Sequence, residues 1–229
     1  MITKKQHILS TSLALVINPI VCLSQVHNSN EIQLDSAITK VLAKNQLAAI
    51  SASVVVNNRI AWANAYGYAN IEGQIKAQPS TVFHQGSVSK TTTSAALLQL
   101  LHDKSISLDD SINKYLDFKI SNPGFADTPI TFRMLITHTA SLSDRTSTGN
   151  KLSALYGSAD SDDSLGTVLK ELLCKHGKRY SNGYFLKQKP GTKYEYSNLG
   201  YSIIGYLVQK ISGKPFNEYV KETLFRPTG

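Results

Sequence analysis

Cysteine is almost missing from this chain: Cys22 and Cys174 are the only two in 229 residues. That excludes a disulfide-stapled scaffold and leaves no cysteine cluster for a structural metal. Cys22 falls in a segment expected to be removed, so Cys174 is read as a single packed helix residue. Acidic residues are scarce as well, 16 against 24 Lys and Arg, for a formal charge of +8. The lysines are scattered and no Arg-aromatic cluster stands out, which describes a generally basic surface and argues against a nucleic-acid groove. Long apolar runs are lacking too. The longest, residues 8–23, is broken by Ser10, Thr11, Ser12, Asn18 and Pro19 and is short for a bilayer span. With Lys4 and Lys5 ahead of it and Ser24 behind, it has the layout of a secretory signal peptide cleaved near Ser24. Bulky Val21 argues against lipid attachment at Cys22. The expected product is an exported protein, periplasmic or secreted, with no stable membrane span and, at 41% hydrophobic and 17% charged residues, globular.

Several catalytic signatures are also missing. The chain has no G-x-S-x-G nucleophile elbow, no H-E-x-x-H zinc helix, no G-x-x-x-x-G-K-[ST] phosphate loop and no C-x-x-C. His84 and His138 stand alone, and packing or exposure accounts for each better than a His-dependent triad does.

What is present is a patterned chain. Leu34, Ile38, Val41 and Leu42 recur at helical spacing, and residues 49–56 and 60–66 read as two strands about the turn Asn57, Asn58, with Tyr68 to Asn70 as a further turn. From Ser87 to His102, small residues run into Leu97, Leu98, Leu100 and Leu101, as in a deeply packed helix. Thr131 is a candidate cap for a helix carrying Phe132, Leu135 and Ile136. Residues 143–164, rich in Ser, Asp, Thr and Gly, read as an exposed loop, and a helix over 165–175 follows. The last clear helix, 199–211, carries Leu199, Ile203, Ile204, Leu207, Val208 and Ile211 and stops at Gly213, which suits a left-handed cap.

Two short patterns carry chemistry, S-x-x-K and Y-x-N, and each recurs, so context must choose among the copies. S-x-x-K occurs at Ser87–Lys90 and at Ser111–Lys114. Residues three apart on a helix share a face, so the Lys90 amine can reach the Ser87 hydroxyl. Ser87 follows Gly86 at an expected helix start, where free amides and the positive dipole end favour a developing negative charge and disfavour a protonated amine. Lys90 is the only formally charged residue between Ala77 and His102. Ser111 instead follows Asp109 and Asp110, whose charges oppose an alkoxide. Y-x-N occurs at Tyr68, Tyr180 and Tyr196. Only Tyr196–Asn198 stands between a Pro-Gly turn and an apolar helix, although Asn198 as a plain N-cap with Tyr196 as packing remains an alternative.

These motifs, with 83–101, Ile106–Leu116, Leu135–Thr139, Pro190–Thr192 and Phe225–Pro227, resemble the serine beta-lactamase and penicillin-binding-protein superfamily over residues 31–229. Y-x-N in place of S-x-N resembles the branch with class C beta-lactamases, D-alanyl-D-alanine carboxypeptidases and related esterases. The resemblance implies an α+β fold of the beta-lactamase/transpeptidase type, a helical domain plus an antiparallel sheet domain. Residues 25–82 would be the sheet-domain helix and hairpin, and 83–229 the mainly helical region with the site. It implies Ser87 as the nucleophile forming an acyl-enzyme, Lys90 and Tyr196 moving the proton, Asn198 orienting substrate, and the Ser87 backbone amide as half of an oxyanion hole. It implies neither metal nor organic cofactor, and a small-molecule or peptidoglycan-like substrate. Two departures stand out. The third motif, Lys or His, a small residue, then Gly on a strand, has no match, so a truncated and catalytically incomplete chain that only binds such ligands is the alternative to an active hydrolase. At Ala140, Ser141 the chain lacks the glycine that relatives place after His and Thr.

Overall fold

The structure is a computed structural model that describes residues 29–144 and 164–228. The segment read as a signal peptide, with Cys22, and most of the loop 143–164 lie outside the described residues. Contacts divide the chain into two compact units, Met1–Phe83 and His84–Gly229.

In the first unit, helix α1 (Ser29–Lys44) precedes an antiparallel sheet of order β1 (Ala49–Val56), β2 (Arg59–Asn70), β3 (Ile75–Lys76). The β1–β2 hairpin turns at Asn57 and Asn58, both left-handed at φ 50° and 59°. That is the two-residue turn whose twist suits a hairpin, and Asn tolerates it. The turn read at Tyr68–Asn70 is corrected: β2 continues through it to pair with β3, and the reversal comes at 71–74. A two-residue strand carries no periodicity by which the sequence could announce it. α1 is tied to β2 by Asp35, whose carboxylate accepts from the Tyr66 hydroxyl and, at 3.3 Å, from Asn64 Nδ2. Burial, then the Asp35 hydrogen bond and charge, push the Tyr66 phenol up to about 12.

The second unit is mainly helical. Its core joins α2 (Ser89–Asp103) and α5 (Asn198–Ser212), with α3 (Phe132–Ile136), α4 (Leu165–Leu173) and α6 (Phe216–Val220) packed around them. Leu97 and Leu100 of α2 meet a core that holds Leu199, Ile203, Ile204, Leu207 and Val208 of α5, all buried. Each such side chain contributes about 1.5–3 kcal/mol, so the two helices that support the motifs are held firmly together. The α5 stripe is the one the periodicity predicts, and Gly213 ends the helix at φ 71°. Thr131 caps α3 by accepting from Met134 N–H.

Other expectations are corrected. α2 is buried only in its second half, and Leu98 is exposed, because its first turns lead out to the surface that presents the motif. Cys174 is not inside a helix: it is the extended C-cap of α4, half-buried, its thiol donating to Lys119 O at 3.7 Å, and burial raises its pKa. The loop read from 143 does not start at the surface, since Ser143 is buried. Among the described residues no helix is long and apolar enough to cross a membrane.

Candidate active site

Ser87 sits in a single 3₁₀ turn, Gly86–Val88, that runs straight into α2. Gly86 has φ 51°, a left-handed bend that costs glycine little and aims the serine outward. No hydrogen bond from the Ser87 N–H to a loop carbonyl is seen among the described residues, and this N–H stands at the start of the helix, where the dipole is positive. One turn on, Lys90 Nζ lies 3.4 Å from Ser87 Oγ. From the segment before α5, the Tyr196 hydroxyl reaches Ser87 Oγ at 2.7 Å. Asn198 Oδ1 accepts from Lys90 Nζ at 2.7 Å. The structure therefore brings Ser87, Lys90, Tyr196 and Asn198 into one cluster from two ends of the chain. The cap alternative for Asn198 is removed, because Ser197 caps α5 by accepting from Gly200 N–H at 3.0 Å. The Asn198 side chain is thereby released into the site.

Among the described residues no carboxylate pairs with Lys90. Its amine instead stands over the faces of Tyr196 and Tyr201, 5.0 and 5.5 Å from their centroids. The Lys90 amine first, and the Ser87 hydroxyl second, hold the Tyr196 phenol below its usual range, against burial and the Asp144 charge, which raise it. A phenol so placed is a short proton path from the serine oxygen.

Two further residues complete the cluster: Asp144, which sequence reasoning passed over, and His138, read there as a packed or exposed histidine. The Asp144 carboxylate accepts from Ser197 Oγ at 2.9 Å, Asn198 N at 2.7 Å, Asn198 Nδ2 at 2.8 Å and Leu199 N at 3.1 Å. His138, left-handed at φ 57°, accepts the Ser197 N–H on Nδ1 at 3.1 Å. Its ring lies against Tyr196 and Tyr201, with centroids at 4.6 and 5.0 Å. Burial, then the Lys90 charge, lower its pKa, while Asp144 opposes them. His138 is therefore a packed histidine, as read from the sequence, and its packing against Tyr196 and Tyr201 is what ties it to the site. A neutral ring with Nδ1 as acceptor carries its proton on Nε2. No hydrogen bond links the exposed His84 to Ser87. The one available signal for Asp144 was an acid shortly after Leu135–Thr139, a motif already noted.

The rejected copies stay apart. Lys114 pairs with Asp110 at 2.5 Å, which raises its pKa and leaves Ser111 without a base. The Tyr180 hydroxyl donates to Asn182 Oδ1 at 2.7 Å and lines a separate cavity of about 800 Å³ with Lys119 and Cys174. The letters K-x-G do occur, at Lys175–Gly177 and Lys189–Gly191, but neither lies on a strand.

Protein flp of Staphylococcus aureus (strain COL) is 27% identical over 202 residues, 87% of this chain and 37% of its own length. The putative penicillin-binding protein PbpX of Bacillus subtilis (strain 168) is 28% identical over 180 residues, 78% of this chain and 39% of its own. The chain thus spans well under half the length of these relatives. Among solved structures, the octameric penicillin-binding protein homologue from Pyrococcus abyssi superposes with a TM-score of 0.65 at 27% identity, over 85% of this chain and 42% of that one. EstCE1, described as a hydrolase with promiscuous acyltransferase activity, gives 0.67 at 21% identity, over 86% and 50%, and so shares the fold. The sequence model of the Beta-lactamase family matches residues 34–229, a stretch that holds every member of the Ser87 cluster, and the chain belongs to that family, within the serine beta-lactamase and penicillin-binding-protein superfamily.

Proposed function

We propose that the protein is a serine acyl hydrolase that works through an acyl-enzyme on Ser87, with beta-lactams, D-alanyl-D-alanine-type peptides or small esters as its substrate class. The observation that carries this reading is the Ser87 hydroxyl held 2.7 Å from Tyr196 and 3.4 Å from Lys90 at a helix start. In acylation the Ser87 oxygen attacks the carbonyl carbon and its proton passes to the Tyr196–Lys90 pair. The carbonyl oxygen becomes an oxyanion facing the Ser87 N–H, a kind of donor worth roughly 3–4 kcal/mol in the transition state. When the carbon–leaving-group bond breaks, the same proton goes to the departing nitrogen or oxygen. Water repeats the sequence on the ester and returns free Ser87. Relatives described as a putative penicillin-binding protein, a hydrolase with promiscuous acyltransferase activity and a D-amino acid amidase are in keeping with a hydrolase of this family. Export, on the layout of residues 1–24, belongs to the same reading.

A second reading, a chain that binds such ligands without turning them over, draws on the Ser87 N–H being the one oxyanion donor in this cluster among the described residues. A fluorescent penicillin or fluorophosphonate separates the two. Covalent label mapped to Ser87 supports the hydrolase, whereas reversible binding with no adduct supports the second. Label on Ser111 or Ser181 removes the assignment of the nucleophile.

A further inference from the structure

We propose that Asp144 is a positioning residue for the proton-transfer group, acting through Asn198; the inference rests on the reading of Ser87 as nucleophile. Asp144 gathers four donors from three consecutive residues, Ser197, Asn198 and Leu199. Its two backbone contacts, to Asn198 and Leu199, serve the start of α5, which Ser197 already caps. The contact to Asn198 Nδ2 is surplus to that task.

A carboxylate only accepts hydrogen bonds, so the end of the Asn198 amide that faces Asp144 is the NH₂. The oxygen is left on the opposite side, where it accepts from Lys90 Nζ at 2.7 Å. With one N–H of Lys90 fixed there, the rest of the amine is directed between Ser87 Oγ, at 3.4 Å, and the Tyr196 ring. Turned over, the amide would set its NH₂ against the amine, donor against donor, and Lys90 would lose its anchor. The acid thus decides which end of Asn198 the lysine meets. Asp144 makes no ion pair with Lys90 and no hydrogen bond to Ser87, so it touches neither reacting atom. Its charge also reaches Tyr196, favouring the protonated phenol.

The test uses the full chain with Asp144→Asn, Asn198→Ala and the double variant, following labelling of Ser87 by a fluorophosphonate together with thermal melting. Each single change is expected to slow labelling by about tenfold or more, the scale of a misplaced catalytic group. The double variant should be no more than about threefold slower than Asn198→Ala alone, because coupled residues do not add. The limb of the rate against pH that belongs to the Ser87–Lys90–Tyr196 group should move to lower pH in Asp144→Asn, a shift that mere loosening of α5 does not produce. Losses that multiply, a wild-type rate in Asp144→Asn, or a loss with an unmoved limb would each overturn the proposal. Should Asp144→Asn fail to fold, Asn198→Ala keeps Asp144 and its contacts to Ser197 and to the backbone N–H groups of residues 198 and 199, and labelling at the wild-type rate in that variant overturns it equally. A wild-type chain that is unlabelled, or labelled on another serine, removes the proposed function and this inference together, and it is read before any variant is made.

Discussion

The Lys90 amine lies closer to the Asn198 carboxamide oxygen, at 2.7 Å, than to the Ser87 hydroxyl, at 3.4 Å. The lysine is therefore anchored from α5 while it stands beside a serine in the turn that leads into its own helix, and the shorter contact to Ser87 Oγ comes from Tyr196 at 2.7 Å. On the proposed mechanism, proton transfer from the serine involves a pair of groups, and each member can be tested separately.

Lys90→Arg keeps the positive charge but removes the base. A guanidinium stays protonated at any working pH and cannot take up the serine proton. Ser87 labelling should fall by on the order of 10²–10⁴-fold, the usual worth of general acid–base help. Stopped-flow or gel-based labelling at fixed probe concentration measures this. A rate within threefold of wild type would place the base elsewhere.

Tyr196→Phe removes only a hydroxyl, yet that hydroxyl is the nearest hydrogen-bond partner of Ser87 Oγ and, on the proposed mechanism, takes its proton. A loss of about 10²-fold or more is expected. Tyr180→Phe loses a hydrogen bond to Asn182, away from the cluster, and should leave labelling within about twofold. Equal effects from the two would cancel the distinction between the Y-x-N copies.

His138 makes stability depend on pH, and the sign follows from its shift. Burial and the Lys90 charge lower its folded-state pKa below the unfolded value of 6.5. The native state therefore binds the proton less readily than the unfolded chain, and the contribution is present above about pH 6.5 and is lost as pH falls below it. Protonation also converts Nδ1 into a donor facing the Ser197 N–H. Thermal midpoints measured from pH 7.5 to 5.5 should fall more steeply for wild type than for His138→Gln, whose amide oxygen accepts at any pH. Parallel slopes would assign the pH dependence to other groups.

Ser141 is a left-handed, buried residue at φ 58°. Its hydroxyl donates to Gln188 O at 2.5 Å and accepts from Asn122 Nδ2 at 2.8 Å. These bonds offset a backbone that costs a side-chain residue roughly 1–2 kcal/mol. Ser141→Ala keeps the strain and loses the bonds, so denaturant titration should show a loss of about 1–3 kcal/mol. Ser141→Gly loses the same bonds but relieves the backbone, and should be the milder change. An alanine variant as stable as the glycine one would mean that the left-handed backbone costs nothing.

Local signals were legible and distant partners were not. The α5 stripe, the Asn57–Asn58 turn and the Thr131 cap could be read because each is written within a few neighbouring residues. Ser87 and Lys90 could be chosen over Ser111 and Lys114 because the deciding charges, Asp109 and Asp110, are adjacent in sequence. Asp144 could not be read, since its partners are 53 to 55 positions away and its surroundings resemble an ordinary polar loop. Ser197 and Asn198 are both good caps, and only geometry shows which one turns into the site. His138 likewise gained its role from three tyrosines that the fold gathers around it, Tyr194, Tyr196 and Tyr201.

The last prediction concerns the outer strand. Among the described residues β1 pairs only with β2, so its other edge presents unmatched N–H and C=O groups. Apolar side chains accompany that edge: Val55 is 62% exposed, Val56 52% and, across the turn, Ile60 70%. An exposed apolar edge is a template for pairing with another molecule, and a small sheet needs further strands or a packed face to be stable in water. The chain should therefore associate as concentration rises and melt broadly. A lysine on the edge strand opposes such pairing, so Val55→Lys should raise the monomer fraction in size-exclusion chromatography without changing the Ser87 cluster. A wild-type chain that is monomeric across the concentration range and melts in one sharp transition would show that the β1 edge does not drive association.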